Sequence, residues 1–170
     1  MEQQDLSPQQ LRNLDSVQGW LMLGCPSEAI AELDALPSTL QSHPQVLDAR
    51  WQTAAAMRDW ETALSTANRL LTTVPEDATG WIHRSYALRR SKTGGLQQAW
   101  DALLPAVEKF PKVSTIPYNI ACYAAQLGQL SEAWDWLHRA IEAAEDISLI
   151  KTMALKDADL MPLWDRLKRF

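Results

Sequence analysis

Apolar residues recur along this chain at three- and four-residue intervals, and no stretch alternates apolar and polar residues between hairpin turns. The pattern predicts helices throughout. Ser7-Pro8-Gln9-Gln10 opens the first with a serine cap, a proline in the first turn and a glutamine placed to reach back to the cap backbone. That helix runs to about Leu23 and stops at Gly24. Pro26 starts a second, with Ile30, Leu33 and Leu36 on one face, ending before Pro37. Pro44 begins a third. Asp59 caps a fourth over 60–73, which Val74-Pro75 terminates, and Asp77 caps a fifth over 78–91. A sixth covers 96–110, a seventh 114–127 and an eighth 130–144. Pro105 lies inside the sixth, where its missing N–H and its ring predict a kink. Two more helical pieces follow, near 147–156 and from a cap at Asp159.

The helices carry a longer period. Ala29, Ala63, Ala99 and Ala133 stand 34, 36 and 34 residues apart. A period in that range marks stacked helix pairs, each of which buries its apolar side only against its neighbours. Leu33, Leu103 and Leu137 lie four positions after an alanine (Ala67 in the second unit), and Leu36, Leu70, Ala106 and Ala140 lie seven after. Pro75 and Pro111 fall twelve after, and Gly24, Gly94 and Gly128 fall five before. This pattern resembles the tetratricopeptide repeat. The fourth unit carries it most fully, from Tyr118-Asn119-Ile120-Ala121-Cys122-Tyr123 through Gly128 and Glu132-Ala133 to Leu137. Asp59-Trp60 matches the family's acidic-aromatic start of a second helix, and Trp81 with Ile82-His83-Arg84-Ser85-Tyr86-Ala87 matches a first helix. Two extra residues in Lys92-Thr93-Gly94-Gly95 account for the spacing of 36. The second unit departs, with Arg50 and Trp51 where the family keeps a leucine and a small residue. Either that helix crossing is wider or the register there slips by one.

The tail from Leu155 to Trp164 resembles the C-terminal cap of many bacterial tetratricopeptide proteins. Leu160, Leu163, Trp164 and Leu167 form one apolar face able to cover the last unit, leaving Asp165, Arg166, Lys168 and Arg169 toward water. The resemblance implies an all-α fold, a right-handed superhelical array of about four helix-turn-helix units in a single domain over 1–170. The units fall at 8–43, 44–77, 78–113 and 114–146, with the cap at 147–170. It further implies a concave groove lined by the first helices. The matching side chains are Gln18, Asp48, Gln52, His83, Tyr86, Arg90, Tyr118, Asn119 and Cys122, and Asn119 corresponds to an asparagine that commonly bonds a peptide backbone. The family's carboxylate clamp for chaperone tails needs lysines and asparagines on three first helices. Leu14 and Gln18, then Ala49, then His83 stand at the comparable places, so that clamp is absent.

Composition narrows the partner. Hydrophobic residues make up 46% and charged residues 22%, as in ordinary globular domains, and the net charge of −5 argues against nucleic acid or an anionic membrane. No apolar run approaches the roughly 20 residues needed to span a bilayer. No basic-then-apolar leader is visible at the N-terminus. Cys25 and Cys122 lie on different units without metal-like or redox-like spacing, which fits buried thiols in a reducing cytoplasm.

Catalytic signatures are missing. There is no phosphate-binding glycine loop, no paired metal-ligand histidines and no nucleophile elbow, so neither metal nor cofactor is expected. Trp20, Trp60, Trp100 and Trp164 sit on apolar faces, which assigns most of the eight tryptophans to the core. His83, Arg84, Arg89, Arg90 and Lys92 are locally basic, either as a solvated helix end favoured by the dipole or as a contact for an acidic peptide. The expected function is a non-catalytic, cytoplasmic protein–protein adaptor that holds a peptide or helix of a partner protein in its groove. The alternative is a small chaperone for a secreted or assembling client.

Overall fold

In the structure, a computed structural model describing residues 6–170, every regular element among those residues is helical. The chain divides into two compact units, the first ending at Lys92 and the second spanning Thr93–Phe170. The division falls in the turn that holds the two extra residues of the third repeat. No helix among the described residues is long and apolar enough to cross a membrane.

The first unit contains α1 (Pro8–Met22), α2 (Pro26–Asp34), α3 (Pro44–Ala56), α4 (Trp60–Thr73) and α5 (Ala78–Leu88). Their starts follow local chemistry. Ser7 Oγ accepts from Gln10 N–H while Gln10 Oε1 accepts from Ser7 N–H at 2.7 Å, closing the reciprocal box read from the sequence. Proline opens α1, α2 and α3, where no intrahelical donor is lost. Asp59 accepts from both the backbone N–H and the hydroxyl of Thr62, which holds its carboxyl below the usual range. Asp77 caps α5 through Thr79 N–H.

Consecutive helices pack against one another, and α1 also lies along α3. Ala29 and Ala63 are fully buried. One core joins Val17, Ala29, Leu33, Leu36, Leu40, Val46 and Ala49, and another joins Trp51, Ala54, Ala63, Ala67 and Ala87. At Gly80 a Cβ would come within 2.9 Å of Leu71 N, so α4 and α5 approach closely enough to require glycine. Arg50 is no misplaced core leucine. It donates to Asp34 at 2.7 Å and to the Leu33 carbonyl at 3.1 Å, satisfying the end of α2, while Gln41 bonds the Leu33 and Leu36 carbonyls.

Three helix ends share one geometry. Gly24, Arg58 and Gly128 have φ of 73°, 57° and 78°. Each donates its N–H back to Leu21, Ala55 and Ala125, and the next residue reaches Trp20, Ala54 and Ala124, as in a Schellman turn. Arg58 is thus the single non-glycine with positive φ among the described residues. The fifth helix ends otherwise, at Leu88 rather than Ser91, with Ser91 N–H turned to the Ala87 carbonyl at 2.8 Å.

The second unit contains α6 (Leu96–Leu103), α7 (Ala106–Lys109), α8 (Thr115–Gln126), α9 (Leu130–Glu142), α10 (Ile147–Ala154) and α11 (Trp164–Leu167), with a 3-10 helix over Ala158–Leu163. The helix expected over 96–110 is therefore two, interrupted at Leu104-Pro105 because proline supplies no donor there. Ala99 and Ala133 are fully buried, as are Leu103, Leu137 and Ala140. The final segment is capped by Asp157, whose carboxylate accepts from Asp159 N–H at 3.0 Å, rather than by Asp159. It winds as a 3-10 helix past Pro162 before one α-turn forms. Leu160, Leu163 and Leu167 are buried, while Asp165, Arg166, Lys168 and Arg169 are exposed, as the apolar pattern predicts. The tryptophans are less uniformly internal than expected. Trp100 is buried, but Trp20, Trp60 and Trp164 are half-buried.

Two substitutions probe these joints. Ala133→Leu, at a fully buried site of α9 against α8, should lower unfolding free energy by about 1–3 kcal/mol in urea denaturation. Arg58→Gly should raise it by about 1 kcal/mol, because glycine takes the left-handed φ without strain.

Candidate functional site

The first-unit residues expected to line a groove form one connected line across three helices. Gln18 and Gln52 each stand eleven before their signature alanine, and Gln18 Nε2 donates to Gln52 Oε1 at 3.0 Å. That contact joins α1 and α3 through residues 34 apart. Gln52 Nε2 donates along α3 to Asp48 Oδ2 at 2.8 Å. The other Asp48 oxygen accepts from His83 Nε2 of α5 at 2.7 Å, which puts the imidazole proton on that nitrogen. Polar groups 34 and 35 residues apart therefore meet sideways.

The line continues in aromatic rings. His83 stacks on Trp51 with centroids 3.6 Å apart and planes within 3°. Trp51 meets Tyr86 edge-on at 5.8 Å, and Tyr86 lies 5.9 Å from Trp60. The Arg90 guanidinium sits 3.6 Å over the Tyr86 ring and 5.3 Å from Trp60, with Nη1 donating to the Tyr86 carbonyl. His83, Tyr86 and Arg90 share one face of α5 by their spacing of three and four. The Trp51 indole N–H is buried without a hydrogen-bond partner. An orphaned donor of this kind costs about 1–3 kcal/mol, so Trp51 is held by its ring contacts.

Two hollows flank the line. One, of about 370 Å³, is lined by Leu11, Leu14 and Leu70 together with Asp15, Gln18 and Asp48. The other, of about 600 Å³, is walled by Ala55, Ala56, Arg58, Trp60, Tyr86 and Arg90. The face is thus acidic at one end and basic at the other.

In the second unit the expected residues are differently engaged. Tyr118 and Cys122 are buried, 7% and 3% exposed, and both turn their polar atoms to the cap. Tyr118 Oη donates to Asp157 Oδ2 at 3.0 Å, and Cys122 Sγ lies 3.6 Å from the same oxygen. Gln126 Nε2 reaches the Asp159 carbonyl at 3.4 Å. Burial chiefly, then the neighbouring Cys122 and Asp157, pushes the Tyr118 phenol above its ordinary value of 10.0, so it stays protonated as a donor. Asn119 is half-buried beside them in sequence. Cys122, Asp157 and Asp159 place three potential metal-ligand atoms within 4.8 Å. Asp157 already serves Tyr118, Cys122 and the Asp159 N–H, which makes this cluster a hydrogen-bonded joint holding the cap. Cys25 and Cys122 are both free thiols.

Sequence reasoning passed over three residues here. Trp51 stood out only as a register anomaly, and Trp60 only as core and as the aromatic start of a second helix. Arg58 carried a readable signal, since glycine occupies the equivalent position in the other three units. No protein-family model matches the chain, and comparison with curated proteins finds no match.

Asp157→Ala would strip Tyr118 of its buried acceptor and should cost about 1–3 kcal/mol, measured by urea denaturation. The raised Tyr118 pKa has a signed consequence. Its contribution to stability is complete below the unfolded value of 10.0 and declines as pH rises past it. Denaturation midpoints should fall above about pH 10 in wild type and less steeply in Tyr118→Phe.

Proposed function

We propose that this chain is a tetratricopeptide-like array that acts in the cytoplasm as a non-catalytic adaptor, binding an extended segment or helix of a partner protein along α1, α3 and α5. The observation that carries the reading is the line Gln18–Gln52–Asp48–His83, in which side chains 34 and 35 residues apart hydrogen-bond across three helices. Its amides, carboxylate and imidazole offer donors and acceptors matched to a peptide backbone. Trp51, Tyr86 and Trp60 add the aromatic surface that dominates many interfaces. Because these groups already brace one another, a partner orders few side chains on binding, which favours affinity. The 34-residue period and the four buried signature alanines support the array reading, and two free thiols suit a reducing compartment.

The test combines capture with a variant that keeps the ring stack. Gln18→Ala, Gln52→Ala and His83→Phe together remove the hydrogen-bonding groups while Phe retains an aromatic surface on Trp51. Tagged wild type in native cell extract should capture a partner that the triple variant releases, by about 2 kcal/mol or more in affinity. Gln52 and His83 are half-buried and bonded to Asp48, so the variant is compared with wild type at a temperature where circular dichroism shows both folded. Undiminished capture by the triple variant would exclude this face as the binding surface.

A further inference from the structure

The hollow beside Arg58 and Arg90 brings two cations together. Its volume is about 600 Å³, and no carboxylate is among its walls. Neither guanidinium is paired with a carboxylate among the described residues, although the chain carries a net charge of −5. Arg90 is held over the Tyr86 ring at 3.6 Å with Nη1 donating to the Tyr86 carbonyl, and a guanidinium has five N–H donors, so others are left to bond. Arg58 is exposed and keeps a left-handed φ of 57° where the equivalent helix ends have Gly24 and Gly128. Strain of this sort, held here by the bonds of the helix end, gathers at functional sites. Trp60 and Tyr86 supply apolar walls, so an anion entering here would be partly desolvated and strengthened in its hydrogen bonds.

We propose that Arg58 and Arg90 form an oxyanion-binding subsite that takes a carboxylate of the bound peptide segment. Planar guanidiniums match carboxylates in paired hydrogen bonds, and a peptide offers that group at Asp or Glu side chains or at its C-terminus. The subsite lies at the turn between α3 and α4 and the end of α5, away from Leu14, Gln18, Ala49 and His83 where a chaperone-tail clamp would stand. The inference rests on the peptide-adaptor reading and narrows the partner to an acidic segment beside an aromatic-binding stretch.

The test follows the Arg Nε–Hε NMR signals of uniformly labelled full-length protein during titration. The probes are a tri-glutamate peptide capped at both ends, tri-alanine with a free C-terminal carboxylate, capped tri-glutamine and inorganic phosphate. The expected result is saturable shifts at Arg58 and Arg90 with one or both carboxylate probes and none with tri-glutamine. Response to tri-glutamate assigns the subsite to side-chain carboxylates, and response to tri-alanine assigns it to a chain terminus. Arg58→Gly should weaken that binding at least tenfold while raising the melting temperature, a combination that a purely structural role for Arg58 does not produce. Arg90→Gln should weaken it similarly, and Arg84→Gln on the same helix should leave it unchanged. Equal binding by Arg58→Gly or Arg84→Gln-sensitive binding would overturn the proposal, as would phosphate saturating the site more tightly than either carboxylate. The Gln18→Ala, Gln52→Ala, His83→Phe variant should still bind the carboxylate probe. Absent carboxylate shifts with capture still lost in the triple variant would count against this subsite alone, and retained shifts with undiminished capture by that variant would count against the adaptor face alone.

Discussion

Each helix pair in this chain has one apolar side that it cannot bury alone, and everything else depends on how closely the next helix can come to cover it. Ala29, Ala63 and Ala133, fully buried between α1 and α2, α3 and α4, and α8 and α9, set that distance. A methyl group at each leaves the helices of a pair near contact, so dispersion and desolvation act over their whole length. A larger residue there would push the pair apart and forfeit contacts on both flanks. Gly80 meets the same constraint in stricter form against the backbone of Leu71.

Close approach has a lateral consequence in the first unit. With the period kept at 34, equivalent turns of α1 and α3 stand side by side, and Gln18 meets Gln52. Asp48 then bridges to His83 on α5, and the same step lays the His83 ring on Trp51. Polar groups thus meet in register while the aromatic groups between them close the seam from beneath. Trp51 shows the compromise: its ring fills the joint, and its indole N–H is left without a partner. A bulky residue at a position held by Val17, Ser85 and Ala121 elsewhere is accommodated because the neighbouring ring stacks flat on it.

The second unit meets the burial problem differently. Its last helix pair is covered by the chain's own tail, through Leu160, Leu163 and Leu167. Asp157 pins the tail by accepting from Tyr118, and Trp164 Nε1 donates to the Ala154 carbonyl at 2.8 Å. Residues that face outward in the first unit have counterparts here that are spent inside the protein. Tyr118 and Cys122 hold the cap, and the buried phenol stays a donor because ionising it there is unfavourable.

Local chemistry was legible from the sequence. Caps at Ser7, Asp59 and Asp77, prolines at helix starts and the four buried alanines follow from side-chain reach and apolar period, which depend on neighbours three or four residues away. Helix ends were less legible where two signals competed. Asp157 displaced Asp159 as the last cap because a 3-10 start moves the acceptor position, and Pro105 divided its helix where a kink was expected. Only the tertiary structure decided which groove candidates remain open, since Gln18 and Tyr118 read alike in sequence but differ in what folds over them. It also decided the charge of the site. Arg58 and Arg90 are 32 residues apart, and only packing of α3, α4 and α5 brings them into one hollow without a counter-charge. Periodicity fixes which face a residue occupies, whereas the company it keeps there is set by contacts between segments far apart in the chain.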